Sequence, residues 1–313
     1  MKRATVLSAL LIVGTLSFGV RAYQQGAGGG QQDAPNVVEV EKLKDNLFLL
    51  KGGGGNTAVF VASDGVVVVD TKNPGWGQPI LAKIKGLTSK PVTTIINTHT
   101  HGDHVSGNVE FPTSVEIVTH ENTKANMEKM IGAFGIVQAT PPPPPPPNIF
   151  KANNGRGMPT KTYKTTMTLG KGPDEIDLYY FGRGHTNGDA FVVFKAPRVM
   201  HAGDVFSGKN LPLLDSNNGG SGVQIADTLE KASNVKDVDR YITGHSTVMT
   251  PADLKEYIQF NRDFLADVRA AKKAGKSIDD VANSWKLPDK YKGYMIAPAR
   301  LKANVQVIYD ELK

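Results

Sequence analysis

The chain has 313 residues, 40 % of them hydrophobic, with 33 glycines, 19 prolines, 7 histidines and no cysteine. Without a thiol there is no disulfide framework, no thiolate metal site and no cysteine nucleophile, so any metal must be held by nitrogen and oxygen. The formal charge of +6 falls to +3 once Lys2, Arg3 and Arg21 of the expected leader are set aside, which argues for no nucleic-acid partner.

Lys2 and Arg3, an uncharged apolar run over residues 4–20 and small side chains at Val20 and Ala22 predict a secretory signal peptide over residues 1–22. Export to the periplasm or out of the cell is the consequence, with no stable membrane insertion after cleavage. The alternative is a retained anchor, although the run falls short of the roughly 20 residues that span a bilayer. Residues 23–36, rich in Gly and Gln, read as a flexible tether.

From Val37 the chain reads as one domain to residue 313. Short β-branched or aromatic runs separated by Gly, Asn and Asp predict strands over 37–40, 47–50, 57–62 and 66–69, all in one sheet. Ile80, Leu81 and Ile84 predict a helix over 78–85, and 92–96 returns to strand. Met127, Met130, Ile131 and Phe134 predict a second amphipathic helix over 122–134. Seven consecutive prolines, 141–147, sit in a Pro-rich insertion at about 136–160. They predict a stiff polyproline rod of roughly 20 Å at about 3.1 Å per residue, a surface spacer in preference to a docking site. The second half repeats the order, with strands over 165–169, 176–181, 190–194 and 199–201, a helix over 224–232 and a strand over 240–243. Three helical segments close the chain. The best of them has Thr250 as N-cap, Pro251 at its first position and Asp253 placed to cap back. Its apolar face of Leu254, Tyr257, Ile258, Phe264, Leu265 and Val268 belongs in the core.

The chemistry concentrates after the strand at 92–96, in His99-Thr100-His101-Gly102-Asp103-His104. Residues two apart on an extended strand share a face, so His99 and His101 can grip one ion from the same side, while Asp103 and His104 can face a second. A metal needs three or four protein ligands, and more are available. His185 lies in Gly-His-Thr-Asn-Gly-Asp, Asp204 in His-Ala-Gly-Asp and His245 in Gly-His-Ser, each just after a strand. A single sheet edge could gather them all. His120, at a strand-to-helix junction, and His201, inside an apolar run, read as structural. Asp189 reads equally as an orienting partner for His185 or as a turn cap.

With these motifs in this order, and with Asp70 following four valines, the chain resembles the metallo-β-lactamase superfamily from about residue 37 to about 269. The resemblance implies an α/β fold, the four-layer αβ/βα sandwich, built from two similar halves. It implies His99, His101 and His185 on a first zinc, Asp103, His104 and His245 on a second, Asp204 bridging them, and Asp70 holding the first motif by hydrogen bonds rather than touching metal. Iron or manganese can occupy the same set. A hydroxide bridging the two ions would attack an ester, lactone or amide-type bond of a small-molecule substrate, with Asp103 or Asp204 shuttling a proton. Asp204 is a feature of the thioesterase and lactonase branches more than of β-lactamases. β-Lactam hydrolysis, an iron-dependent sulfur dioxygenase and a non-catalytic metal-binding protein are the other readings. Substrate choice falls to the loops at 73–78 with Trp76, 136–158 and 209–222.

Overall fold

Alternation along the short strands decides the architecture. In the run Val66–Val69, Val67 and Val69 face one apolar cluster while Val66 and Val68 face another, so this strand is covered on both sides. A computed structural model of the chain describes residues 38–134 and 147–313. The expected signal peptide, the tether and six of the seven consecutive prolines lie outside the described residues.

The elements run β1 (Glu39–Lys44), β2 (Leu47–Lys51), β3 (Thr57–Val61), β4 (Val66–Val69), α1 (Gly77–Leu87), β5 (Val92–Ile96), α2 (Gly102–Val105), β6 (Glu116–His120), α3 (Glu121–Met127) and α4 (Ile149–Ala152). They continue through β7 (Lys161–Tyr163), β8 (Thr166–Leu169), β9 (Ile176–Tyr179), β10 (Phe191–Phe194), β11 (Val199–His201) and α5 (Ile225–Ser233). The last are β12 (Arg240–Ile242), α6 (Pro251–Lys273), α7 (Ile278–Ser284) and α8 (Pro298–Glu311). Seven strands form one sheet in the order β1 to β7, antiparallel as far as β4 and parallel from there. Five form the other in the order β12-β11-β10-β9-β8.

The sheets meet through Leu47, Leu49, Phe60, Val67 and Val69 on one side and Leu178, Val192, Phe194 and Ile242 on the other. Phe60 and Phe194 bring ring centroids to 5.3 Å across this layer. Helix α1 covers the outer face of the first sheet with Ile80 and Ile84. Helices α5, α6 and α8 cover the second sheet over Phe191, Val193, Met200 and Tyr241. This is the four-layer αβ/βα sandwich. Among the described residues no helix is long and apolar enough to cross a membrane.

Two expectations change. The first strand, expected over 37–40, runs from Glu39 to Lys44 with Val37 outside the described residues, and it is an edge strand charged at Glu39, Glu41, Lys42 and Lys44. The helix expected over 122–134 stops at Met127, because the Asn148 amide donates to the carbonyls of Met127 and Glu128 and Met130 takes a left-handed φ of 48°. Beyond it the chain turns towards the second sheet, where Asn217 donates to Gly132 O, Asn218 to Ile131 O, and Phe134 N to Asp215.

Candidate metal centre

Strand direction gathers the polar residues. Parallel β4 and β5 end on the same side, delivering Asp70 and the loop that carries His99 to His104. In the second sheet β9 and β11 both run antiparallel to β10, and β12 runs parallel to β11. Their ends deliver His185, Asp204 and His245 to one edge. The seven residues therefore come from the facing edges of two sheets, not from a single sheet edge, which corrects the sequence-based expectation. Each half supplies only part of the cluster.

Two groups result. Ligand atoms of His99, His101, His185 and Asp204 lie within 4.8 Å of one another, as do those of Asp103, His104 and His245. Asp204 touches both. Its Oδ2 lies 3.9 Å from His99 Nε2, 3.6 Å from His185 Nε2 and 3.4 Å from His245 Nε2, and its Oδ1 lies 3.2 Å from His104 Nε2. His245 Nε2 is 3.1 Å from Asp103 Oδ2 and 3.3 Å from His104 Nε2.

The outward ring nitrogens fix the tautomers. Thr98 spends its one hydroxyl proton on Asp70 Oδ2 at 2.7 Å, so the His99 Nδ1–H must donate to Thr98 Oγ1 at 2.9 Å. His101 Nε2–H donates to Asp215 Oδ2 and His185 Nδ1–H to Leu213 O, both at 2.7 Å. His104 Nδ1–H donates to Asp70 Oδ2 at 2.7 Å. The inward nitrogens of His99, His101 and His185 then offer lone pairs, while against burial Asp204, Asp103 and Asp70 hold the His104 pKa well above the usual histidine value, so its Nε2 faces Asp204 as a donor whose proton a cation would displace. His185 Nε2 and His101 Nδ1 face each other at 3.0 Å, and His99 Nε2 is buried without a hydrogen-bond partner. Converging lone pairs beside an aspartate, with their far sides pinned by acceptors, is the donor arrangement a divalent cation requires.

The charges agree. Burial holds the His99 pKa well below the usual histidine value and that of His185 down to about 4, so both stay neutral donors. Asp204 raises His245 to about 10. Burial opposes the charge on Asp204, yet His245 and His104 hold its carboxyl well below the ordinary range. The cluster holds buried carboxylates that need positive charge beside them.

Asp70 adopts a left-handed φ of 63°, a conformation costing roughly 1–2 kcal/mol. Thr98 N, Thr98 Oγ1 and His104 Nδ1 all donate to it and hold it there. Two glycines permit the crowding. A Cβ at Gly244 would stand 1.6 Å from Asp204 Oδ1, and one at Gly55 would stand 2.2 Å from the His104 ring. His201 is buried, receiving Gly203 N at Nδ1 and facing Asn56 O with Nε2. His120 caps α3 and stacks on Tyr180. Asp189 caps a turn, accepting from Thr186 N and Oγ1.

Sequence reasoning missed Asp215 and Lys72. Asp215 accepts from His101 and from Phe134 N, Asn217 N and Asn218, so one carboxylate sets a ring and ties down three loops. In sequence it looks like any Asp opening an Asn-Gly turn. Lys72 is fully buried and donates to Leu50 O and Gly55 O, fastening the glycine loop beside His104. Burial lowers its pKa to about 7 against the pull of Asp70 and Asp103. Next to this loop a cavity of about 360 Å³ opens, lined by Lys51, Gly52, Gly54, Asn56, His245, Ser246 and Thr247.

Two facing sheets between helices, with a histidine and aspartate cluster at their common edge, define a class of αβ/βα sandwich metalloproteins. The chain belongs to the metallo-β-lactamase superfamily, whose sequence profile matches residues 50–245. It is a hydrolase of that superfamily, which uses metal ions. "Metallo-beta-lactamase type 2" of Elizabethkingia meningoseptica is 29 % identical over 218 residues, covering 65 % of this chain and 70 % of the relative. "2,4-dinitroanisole O-demethylase subunit alpha" of Nocardioides sp. (strain JS1661) is 24 % identical, covering 57 % of this chain and 49 % of the relative. Among solved structures, a metallo-beta-lactamase from Pontibacter korlensis superposes with a TM-score of 0.57 at 18 % identity, covering 72 % of this chain and 99 % of its own.

Proposed function

We propose that this chain is an exported dinuclear zinc hydrolase that cleaves an ester, lactone or amide-type bond in a small molecule. The observation that carries the reading is the convergence of histidine lone pairs in two groups that share Asp204. His99, His101 and His185 would hold one ion, Asp103, His104 and His245 the other, and Asp204 both. Neutral imidazole and carboxylate donors without thiolate suit zinc. When bound, such ions acidify water to supply hydroxide at neutral pH and polarise the scissile carbonyl.

The chain's own residues do the rest. Asp215, Leu213 O, Thr98 and Asp70 fix the rings so that no reorganisation is needed on binding. Asp103 is partly exposed with its Oδ2 3.1 Å from His245 Nε2, and against burial His104 and His245 hold its carboxyl well below the ordinary range, so it stays an anion beside that ring. The cavity beside His245 admits the substrate. Export follows from the leader-like residues 1–22.

The test is metal analysis of purified protein, then a panel of lactones, thioesters, β-lactams, phosphodiesters and sulfate esters with and without chelator. About two zinc ions per chain and chelator-sensitive hydrolysis are expected. Iron alone, or a metallated protein that turns over nothing in the panel, overturns the proposal.

A further inference from the structure

The cavity beside His245 has a one-sided lining. Gly52 and Gly54 contribute backbone alone, Lys51 an ammonium, and Ser246 and Thr247 hydroxyls, while no carboxylate lines it. Asn56, on the same wall, directs both amide protons to Thr243 O and Ser246 O. The other donors are unused. Among the described residues Gly52 N, Gly54 N and the two hydroxyls donate no hydrogen bond.

The glycine loop is fixed from its other side. Asn73 donates from N and Nδ2 to Gly53 O, and Lys72 Nζ donates to Leu50 O and Gly55 O. In a planar trans peptide the C=O and N–H point in opposite directions, so the bonds from Asn73 to Gly53 O turn the N–H of Gly54, which lines the cavity, away from Asn73.

Lys51 supplies the charge. Its Nζ donates one proton to Glu41 Oε2 at 2.5 Å, and an ammonium carries three. Glu41 stands on the edge strand β1, outside the cavity lining, and with Lys51 34 % and Glu41 44 % exposed their pair holds the ammonium weakly. An anion in the cavity would meet the two remaining protons, the amides and the hydroxyls, with no carboxylate on the wall. His245 lines the same cavity, its Nε2 3.1 Å from Asp103 Oδ2 and 3.4 Å from Asp204 Oδ2, so one molecule filling it touches both Lys51 and the candidate centre.

We infer that this cavity is a subsite for an anionic group of the substrate, a carboxylate, sulfate or phosphate, received by Lys51 and the amides of Gly52 and Gly54 while the bond to be cleaved lies on the His245 side. This substrate class rests on the hydrolase reading above.

The test compares the full-length wild type with Lys51→Gln and Glu41→Gln, each as purified; neither residue is a candidate metal ligand. Calorimetric titration with inorganic sulfate at fixed ionic strength needs no turnover. Lys51→Gln should weaken binding on the order of tenfold, and Glu41→Gln, which removes the competing carboxylate, should tighten it about threefold. For a matched ester pair differing in one carboxylate, Lys51→Gln should lower kcat/KM for the charged member about tenfold more than for the neutral one. Sulfate affinity that is absent, or the same in all three proteins, would overturn the inference, as would equal losses for both esters. If nothing is hydrolysed, the functional proposal falls while the sulfate titration still decides the subsite.

Discussion

Asp215 and His101 illustrate how a site depends on residues whose role is invisible in sequence. The motif reading rests on spacing within one segment, and that spacing made His99, His101, Asp103 and His104 legible. Asp215 stands 114 residues from His101, and only the fold brings its carboxylate to 2.7 Å from the ring. Asp215→Asn should lower metal affinity roughly 10- to 100-fold, because the amide no longer fixes the ring and its tautomer with a charge. Competition against a chromogenic chelator measures this directly, and an unchanged affinity would show that the other loops hold His101 without it. Asp189 makes a prediction about pH. Burial raises its pKa from 3.8 to about 7. The native state therefore keeps a proton that the unfolded chain gives up near pH 4. Its contribution to stability is fully present below about pH 4 and is lost as pH rises through about 7. Asp189→Asn cannot titrate, so its stability relative to wild type should rise between pH 5 and pH 7.5, by at most about 1.4 kcal/mol per pH unit. Urea midpoints of both proteins at the two pH values report it, and parallel curves would exclude the effect.

Elements were legible where local pattern decides them and illegible where a distant side chain does. The strands at Val66–Val69, Val92–Ile96 and Val199–His201 keep their sequence-read bounds, since β-branched runs flanked by turn residues carry their own signal. Helix α3 does not, because its end is set by Asn148, which is remote in sequence. Helix α6 is the opposite case. Its start carries a full capping box, with Thr250 Oγ1 accepting from Asp253 N and the Asp253 carboxylate accepting from Thr250 N and Oγ1. The helix buries Leu254, Tyr257, Ile258, Phe264 and Val268 against the second sheet, so its first turn is coupled to the core. Thr250→Ala should cost about 1 kcal/mol. A lower urea midpoint with an unchanged slope would register that loss as one of stability. No shift in midpoint would mean that the first turn frays independently of the core.

At the scale of the molecule, the division of the cluster between two sheets makes metal binding and folding one problem. The first sheet brings His99, His101, Asp103 and His104, the second brings His185, Asp204 and His245, and an apolar layer edged by hydrogen bonds such as Asn56 N to Gly244 O and Ala190 N to Thr98 O joins them. Without a cation, His101 Nδ1 and His185 Nε2 meet at 3.0 Å and the carboxyl of Asp204 depends on His245 and His104 beside it. A bound ion would join ligands of both sheets at the edge where the sheets meet, so it should act as a clasp. A ligand at about 1,000 times its Kd stabilises the native state by about 4 kcal/mol. For a chain of this size that corresponds to a Tm change of roughly 10 °C. Removing metal with a chelator should therefore lower Tm by about that amount, and zinc should restore it. Asp204→Ala removes the one carboxylate common to both groups, so its chelator effect should shrink to less than half, and its metal-free Tm should fall because His104 and His245 lose the carboxylate they face. A wild-type Tm indifferent to chelator and to added zinc would mean that the native state binds no ion tightly at this edge, and the clasp is absent.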